Sequence, residues 1–223
     1  GRVGQLALTS VLQPVAELAA LADPHLPLLL QLGRLAHRGA QRGRAGGGSR
    51  WRVAPGRRRD GGPLGAAALD ARGVVVVLDP GDVFAELEPS LRSRVVALTD
   101  VWTGNAEESE DFGGAKGMGP AAEAVAALLE PGAVTVVRDG DRGCAVRVDG
   151  VTTIVPGFPE TPVDTNGAGD THTGVLLAEV ARGSDWVQAC RRANAAGAIK
   201  VTRKGPTTAP TAAEIDAYLS SRA

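Results

Sequence analysis

The sequence has few aromatic residues and few of the side chains that build metal sites or disulfide frameworks. Aromatics make up 3% of the 223 residues, so the core must be built mainly from Ala, Val and Leu. The two cysteines, Cys144 and Cys190, lie in apolar stretches and are predicted to be buried thiols. Together with three scattered histidines, they match no spacing that is typical of a metal site.

Long apolar runs and a strong net charge are also absent. No stretch approaches the roughly 18 consecutive apolar residues of a membrane span. The apolar run at residues 26–30 lacks the basic start and the cleavage site of a signal peptide. The net charge of −1 gives no global reason to expect nucleic acid or an anionic membrane as a partner. We therefore expect a cytoplasmic protein, and the hydrophobic content of 43% suits a globular core.

Arginine is distributed unevenly, and this divides the chain. Residues 34–62 contain nine arginines among Gly and Ala, and no acidic residue occurs between Asp23 and Asp60. No helical or strand period would bury one face of this stretch, so we interpret it as a flexible basic segment. Its composition resembles out-of-frame translation of GC-rich coding sequence, a hypothesis that the nucleotide sequence would test. We divide the chain into an atypical N-terminal segment, residues 1–61, and a folded region, residues 62–223.

From about residue 62 the apolar pattern alternates between strands and helices. Val74–Leu78 is a continuous apolar run before Asp-Pro-Gly, typical of a strand buried on both faces and a turn. A helical pattern follows, and Val95–Leu98 is predicted as a second strand. Further predicted elements are a helix over 121–129, a strand over 134–137, a hairpin of 144–148 and 151–155 around Asp149-Gly150, and helices over 170–182 and 185–200 with Ser184 as N-cap. The alternation predicts an α/β fold of three layers with a mainly parallel sheet.

The clearest chemical signal is the string DTNGAGD at residues 164–170, directly before a predicted helix. Gly167 and Gly169 allow a tight turn that aims successive amides at one point. Because that point lies at a helix N-terminus, the amides of Gly167, Ala168 and Gly169 are predicted to bind an anion. Asp170 lies beside this site and could accept a proton from a hydroxyl that attacks phosphorus. The alternative is a glycine turn in which Asp170 merely caps the helix.

Residues 163–174 resemble the signature of the PfkB, or ribokinase, family of carbohydrate kinases. Three further stretches resemble motifs of this family, in the family's order. They are Asn105–Glu108 (the N-x-x-E motif), Val137–Gly143 (a nucleotide-binding strand end that usually reads T-x-G) and Ala193–Gly205 (the segment that lines the adenine pocket). The resemblance covers roughly residues 62–223.

The resemblance implies a ribokinase-like α/β/α fold and an ATP-dependent kinase that acts on a hydroxyl of a sugar or nucleoside. It implies that Asp170 is the catalytic base and that Gly167, Ala168 and Gly169 form the anion hole. ATP, Mg²⁺ and K⁺ are the implied ligands. The implied nucleotide-binding residues are Asn105, Glu108, Arg138, Gly140, Gly143, Asn194 and Gly205; Asn105 and Glu108 would also hold Mg²⁺ through water, and Asp164 is a candidate ligand of a monovalent cation.

Several of these residues also have simpler interpretations. Asn105 and Glu108 are three positions apart and could cap a helix instead of holding Mg²⁺. Arg138 stands where the family usually has Thr, and its turn could be an ordinary surface turn. Asn194 could satisfy a neighbouring helix. His172, where the family usually has Phe, is predicted to point away from Asp170 and to pack.

Residues 1–61 lack the sugar-binding features of the family, which are an early strand with an Asp, a Gly-Gly-x-x-x-Asn segment and a β lid. Two hypotheses therefore stand: an active kinase for a sugar or nucleoside, and a truncated relative that binds nucleotide without chemistry. A third, in which the arginines bind nucleic acid, ranks last because no folded motif accompanies them. We expect no nucleic-acid or membrane partner. Many relatives pair through the lid, so a homodimer is compatible with the resemblance.

Overall fold

A computed structural model describes residues 75–222. The strands of this part are β1 (Val77–Leu78), β2 (Val101–Asn105), β3 (Val134–Arg138), β4 (Gly143–Val148) and β5 (Val151–Pro156). The helices are α1 (Pro89–Leu98), α2 (Ala106–Gly113), α3 (Met118–Leu128), α4 (Ala168–Arg182), α5 (Trp186–Val201) and α6 (Ala212–Ser220), with 3₁₀ turns at Asp82–Glu86 and Gly140–Arg142. The predicted N-terminal segment and its arginines lie outside the described residues.

The five strands form one mixed sheet in the order β1-β2-β3-β4-β5. Strands β1, β2 and β3 are parallel, whereas β4 and β5 add an antiparallel hairpin at one edge. In the β2–β3 register, Asn105 pairs with Arg138, the last residues of the two strands. Both residues therefore lie at the carboxyl edge of the parallel strands, where ligands bind in open α/β sheets.

Neighbouring residues of β2 face opposite layers of helices. Val101 packs on the side of α4 and α5 with Leu176 and Cys190, whereas Trp102 packs on the side of α3 with Val125. These side chains are completely buried. Alternating side chains on a strand that is covered on both faces produce a three-layer α/β/α arrangement. The predicted fold class is thereby confirmed.

The region between β1 and β2 corrects two predictions. Val95–Leu98, predicted as a strand, is the end of helix α1, which begins at Pro89 after the capping carboxylate of Glu88. The strand is instead β2, which the sequence pattern had not indicated. A four-residue apolar run fits either element by itself, and here the preceding proline and cap favour a helix. The described part of the first strand is Val77–Leu78, which is half-buried rather than buried on both faces.

The remaining elements agree with the predictions apart from details at helix ends. The hairpin turns at Asp149 and Gly150, whose positive φ values of 49° and 82° are typical of a two-residue hairpin turn. The N-cap of α5 is Asp185 rather than Ser184, because the Asp185 carboxylate accepts from the Gln188 amide. Helix α6 was not predicted. Among residues 75–222, no helix has the length and apolar character that crossing a membrane requires.

Candidate active site

Arg138 joins three strands and one helix at the carboxyl edge of the sheet. One terminal nitrogen, Nη2, donates to Asp79 Oδ1 at 2.8 Å and to the main-chain oxygen of Thr103 at 3.0 Å. The other, Nη1, donates to Thr173 Oγ1 on α4 at 3.2 Å, and Thr173 in turn donates to Asp79 Oδ2 at 3.1 Å. The Arg138 side chain is 12% exposed. A nearly buried positive charge is thus fixed where β1, β2 and β3 meet the start of α4.

The glycine turn before α4 leaves several amides without partners. Gly167 occupies the N-cap position with a φ of 78°, and its carbonyl accepts from the Thr171 amide at 3.0 Å. The Ala168 amide donates back to the Thr165 carbonyl at 3.1 Å. Within residues 75–222, the amides of Gly167, Gly169 and Asp170 have no acceptor. Free amides at a helix start favour an anion. Of the three amides predicted to bind one, those of Gly167 and Gly169 are free, the Ala168 amide is engaged within the loop, and the Asp170 amide is free as well.

Both glycines of this turn allow close approach of other groups. A Cβ at Gly167 would lie 2.7 Å from the Pro206 carbonyl oxygen. A Cβ at Gly169 would lie 2.8 Å from Nη1 of Arg138. The guanidinium therefore lies directly against the first turn of α4. Main-chain amides and an arginine side chain contribute positive potential to the same place.

Asp170 is exposed in the first turn of α4. Its carboxylate accepts no hydrogen bond from the described residues, and the N-cap position belongs to Gly167. The alternative in which Asp170 merely caps the helix is therefore not what this geometry shows. An exposed carboxylate beside free amides is available to a substrate hydroxyl.

Asn105 and Glu108 form a capping box at the start of α2. Asn105 Oδ1 accepts from the Glu108 amide, and Glu108 Oε2 accepts from the Asn105 amide, both at 2.8 Å. Burial raises the pKa of Glu108, the Asn105 amide lowers it, and the negative charge of Asp79 raises it again. The carboxylate also lines a cavity of about 270 Å³ between α2 and the loop after β1. A half-buried carboxylate near a second one is an environment that favours a cation. Among residues 75–222, however, no three acidic, histidine or cysteine side chains are grouped as in a protein-built metal site.

The two glycines of the β3–β4 connection differ in their surroundings. A Cβ at Gly140 would meet no atom within 4 Å, although its φ of 56° favours glycine. A Cβ at Gly143 would lie 2.1 Å from the Val155 carbonyl oxygen, so this glycine is required by the packing of β5. The space beside Gly140 is thus open, whereas Gly143 has a structural reason of its own.

His172 on α4 and Asn194 on α5 are both buried in the core. Asn194 is 6% exposed, and its amide nitrogen donates to the carbonyls of Val155 and Pro156 at 3.1 Å. Its oxygen is 3.0 Å from Nε2 of His172, which is also buried. His172 packs as expected. The Asn194 amide is engaged by the protein itself, as the simpler interpretation of that residue proposed. The two cysteines are buried and unbridged.

Asp164 connects the glycine turn to the segment after α5. Its Oδ2 accepts from the Gly205 amide at 2.8 Å and its Oδ1 from the Asn166 amide at 3.0 Å. These hydrogen bonds hold the pKa of Asp164 below its usual range. Its main-chain oxygen accepts from Nζ of Lys200, a fully buried lysine, at 2.8 Å. Gly205 thus contributes a main-chain amide that holds Asp164, the first residue of the glycine turn.

Comparison with known proteins identifies the family. The sequence profile described as "pfkB family carbohydrate kinase" matches residues 58–213. The chain belongs to this family. An ATP-dependent ribose-1-phosphate kinase of Halopiger xanaduensis is 29% identical over 167 residues, which are 70% of this chain and 50% of that protein.

Solved structures of other pfkB-like kinases share the fold. A fructokinase from Vibrio cholerae, in a form with fructose, ADP and calcium bound, is 30% identical with a TM-score of 0.59 over 69% of this chain and 53% of that one. A nucleoside kinase from Burkholderia thailandensis in complex with inosine is 28% identical with a TM-score of 0.58 over 70% and 51% of the two chains. The chain spans about half the length of the relatives it matches.

Three residues that contact predicted site residues were not indicated by the sequence pattern: Asp79 and Thr173, which bond Arg138, and Lys200, which bonds Asp164. Asp79 directly follows an apolar run, a position at the carboxyl end of a strand that could have marked it. Thr173 is three positions after Asp170, so it shares a helix face with it. Lys200 ends an alanine-rich helix, where a lysine is usually solvated, and only its burial distinguishes it.

Proposed function

We propose that this chain performs ATP-dependent transfer of a phosphoryl group to a hydroxyl of a sugar or nucleoside. The observation that carries the proposal is the first turn of α4. There, the unpaired amides of Gly167, Gly169 and Asp170 lie beside the guanidinium of Arg138 and an exposed carboxylate. Anion-binding amides, a fixed positive charge and a free base are the parts that phosphoryl transfer requires.

In the proposed step, Asp170 accepts the proton of the substrate hydroxyl while the hydroxyl oxygen bonds to the γ-phosphorus of ATP. The bond between that phosphorus and the β–γ bridging oxygen breaks, and ADP leaves with the electron pair. Negative charge on the transferred group is stabilised by the amides of the turn and by Arg138. Arg138 is held for this role by Asp79 and Thr173, so it needs little reorganisation.

Asn105 and Glu108 are the residues that we propose to hold Mg²⁺ through water. Each side chain uses one oxygen as an acceptor in the capping box. The pKa of Glu108 is raised by burial and by the nearby charge of Asp79. Mg²⁺ supplies positive charge to the phosphates when it is bound. We also propose that the open main chain at Gly140 contacts the nucleotide. The cytoplasmic location and the homodimer stay predictions.

The ligands of the relatives support the proposed substrate class. The Vibrio cholerae structure holds fructose and ADP, and the Burkholderia thailandensis structure holds inosine. A sugar hydroxyl, free or within a nucleoside, is the group that these ligands share. A second candidate function is nucleotide binding without transfer. It is favoured by the exposure of Asp170, because a hydroxyl must be positioned and water excluded for efficient transfer.

The test is ADP formation by the full chain from Mg·ATP across a panel of sugars and nucleosides. We expect acceptor-dependent turnover that Asp170→Asn lowers by about 10²–10⁴-fold, with ADP affinity retained, because the base acts only in the chemical step. Asp149→Asn in the hairpin turn is the matched control and should leave turnover unchanged. ADP binding without turnover under any acceptor would support the second candidate, and equal turnover by Asp170→Asn would refute the base assignment.

A further inference from the structure

Lys200 is a buried charge that the proposed phosphoryl transfer does not use. It lies in the last turn of α5, is 0% exposed, and donates from Nζ to the main-chain oxygen of Asp164 at 2.8 Å. A charged group is retained in a protein interior where oxygens and an opposite charge replace its water. Here the main-chain oxygen of Asp164 accepts the ammonium. The carboxylate of the same residue supplies a nearby negative charge, and Lys200 adds to the lowering of the Asp164 pKa that the Gly205 and Asn166 amides chiefly cause.

The oxygens of Asp164 are already engaged by groups of the chain. Both carboxylate oxygens accept main-chain amides, from Gly205 and Asn166, and the main-chain oxygen accepts the Lys200 ammonium. A monovalent cation that shared the main-chain oxygen would lie within a few ångströms of that ammonium, and like charges at such distances repel each other. The predicted K⁺ ligand is therefore already matched with a positive group of the chain.

The groups around Lys200 connect two segments. The amide of Val163 donates to the Val201 carbonyl at 2.7 Å, and the Gly205 amide donates to Asp164. Gly167 packs so closely on Pro206 that a Cβ would lie 2.7 Å from its carbonyl oxygen. The turn that carries the anion site therefore rests on residues 200–206. The ammonium lies at this junction, where a bound cation would have the same effect.

We propose that the Lys200 ammonium is a built-in substitute for a monovalent cation. It places a positive charge beside Asp164 and fixes the glycine turn on the end of α5, so the site works without potassium. Lys200 is a positioning residue, because it acts on the phosphate site through Asp164 and the turn. The inference rests on the proposed function only in assuming that this turn binds the phosphates of a nucleotide.

The experiment measures the melting temperature and the ADP affinity of the full chain in choline chloride and in KCl at equal ionic strength. The wild type should give the same values in both salts. Lys200→Ala should melt lower and bind ADP more weakly in choline, and KCl should raise its melting temperature by about 2–5 °C and restore part of the ADP affinity, because K⁺ then enters the vacated space. Lys200→Met keeps the volume without the charge, so it should melt lower in both salts alike.

Lys116→Ala removes an exposed lysine that pairs with Glu110 and should behave as the wild type in both salts. A potassium-specific rise in the wild type would overturn the proposal, because a cation site would then exist beside Lys200. An equal response of folded Lys200→Ala to the two salts would also overturn it. If Lys200→Ala does not fold in choline, folding in KCl supports the proposal, and the wild-type measurement decides in any case. None of these measurements needs turnover. If the chain shows this salt dependence but no kinase activity, the proposed function is refuted and the inference about Lys200 is kept.

Discussion

Two parts of the site place positive potential at the same point by different means. The turn at residues 164–170 uses main-chain amides at the start of α4, and consecutive residues supply it. The strand edge uses the side chain of Arg138, which is 59 positions from Asp79 and 35 positions from Thr173. The first is local in the chain and the second exists only in the folded sheet.

This difference explains why the turn was indicated by its own residues, whereas Arg138 was indicated only by the family resemblance and its partners Asp79 and Thr173 were not indicated. A glycine turn before a helix can bind an anion wherever it occurs, because the free amides follow from helix geometry. An arginine at a strand end is fixed in position only if the strand register brings a partner such as a carboxylate beside it. Here the pairing of Asn105 with Arg138 and of Leu78 with Trp102 places three strand ends together. The two parts meet at Gly169, so substitutions there and at Arg138 test whether they act as one site.

Gly169→Ala should have the largest effect, because it disturbs both parts at once. The new Cβ would lie 2.8 Å from Nη1 of Arg138, which two strands and Thr173 hold in place. Either the guanidinium or the amide turn must shift. Loss of one aligned donor in an anion hole costs about 10²–10³-fold in turnover, and we expect a decrease of that size together with weaker ATP binding.

Gly119→Ala is the matched control for this substitution. It lies in the first turn of α3, outside the segments assigned to the nucleotide, and a Cβ there would lie 3.5 Å from the Ile154 side chain, an ordinary contact distance. Alanine is favoured over glycine in a helix, so this variant should melt at least as high as the wild type with unchanged ATP affinity. Isothermal titration and thermal melts of both variants give the comparison. ATP binding by Gly169→Ala at the wild-type affinity would show that the guanidinium and the turn are independent.

Arg138→Gln should have a smaller effect that is confined to phosphates. Hydrogen bonds to a charged group contribute about 1.5–3 kcal/mol, which corresponds to roughly 10- to 100-fold in ATP affinity. Adenosine has no phosphate, so its affinity should not change. Arg182→Gln is the control. It removes an arginine at the C-terminal end of α4, where Arg192 still pairs with Glu179, so this variant should bind ATP as the wild type does.

The ratio of ATP to adenosine affinity distinguishes the possible roles of Arg138. Equal losses for both ligands would indicate that Arg138 only supports the fold. No loss for either would contradict its place in the phosphate site. Arg138→Lys should restore part of the ATP affinity, since it keeps the charge without the planar fork. In combination with Gly169→Ala, the Arg138→Gln loss should shrink, because neighbouring residues of one site are not additive.

Much of the fold and the turn could be predicted from residue order alone. The hairpin followed from Asp149-Gly150, because only a few residues accept two successive positive φ values. The strand misassigned at Val95–Leu98 shows the limit, since four apolar residues do not distinguish a helix end from a buried strand. Burial was equally out of reach: nothing local reveals that Lys200 is enclosed or that Asn194 is engaged on both sides of its amide.

Glu108→Gln should have the smallest effect, and its pH dependence separates the capping role from the charged one. Glutamine can still accept from the Asn105 amide, so the capping box is kept. The folded protein raises the pKa of Glu108 above its ordinary value of 4.5, chiefly by burial. The folded state therefore binds more protons than the unfolded state in the window above 4.5, so the stability from this group is present at low pH and is lost as pH rises through the folded pKa.

Relative to Glu108→Gln, the wild type should consequently lose melting temperature between pH 4.5 and neutral pH, and the two should run parallel below that window. Glu107→Gln, exposed on the same helix, gives the effect of removing one surface carboxylate. A wild type that gains on the variant as pH rises would contradict the direction of the shift. At neutral pH, Mg²⁺ should raise the melting temperature of the wild type more than that of Glu108→Gln, because a bound cation supplies the charge that a half-buried carboxylate lacks. An equal response would leave Glu108 with the cap alone, and would move the proposed metal role away from the start of α2.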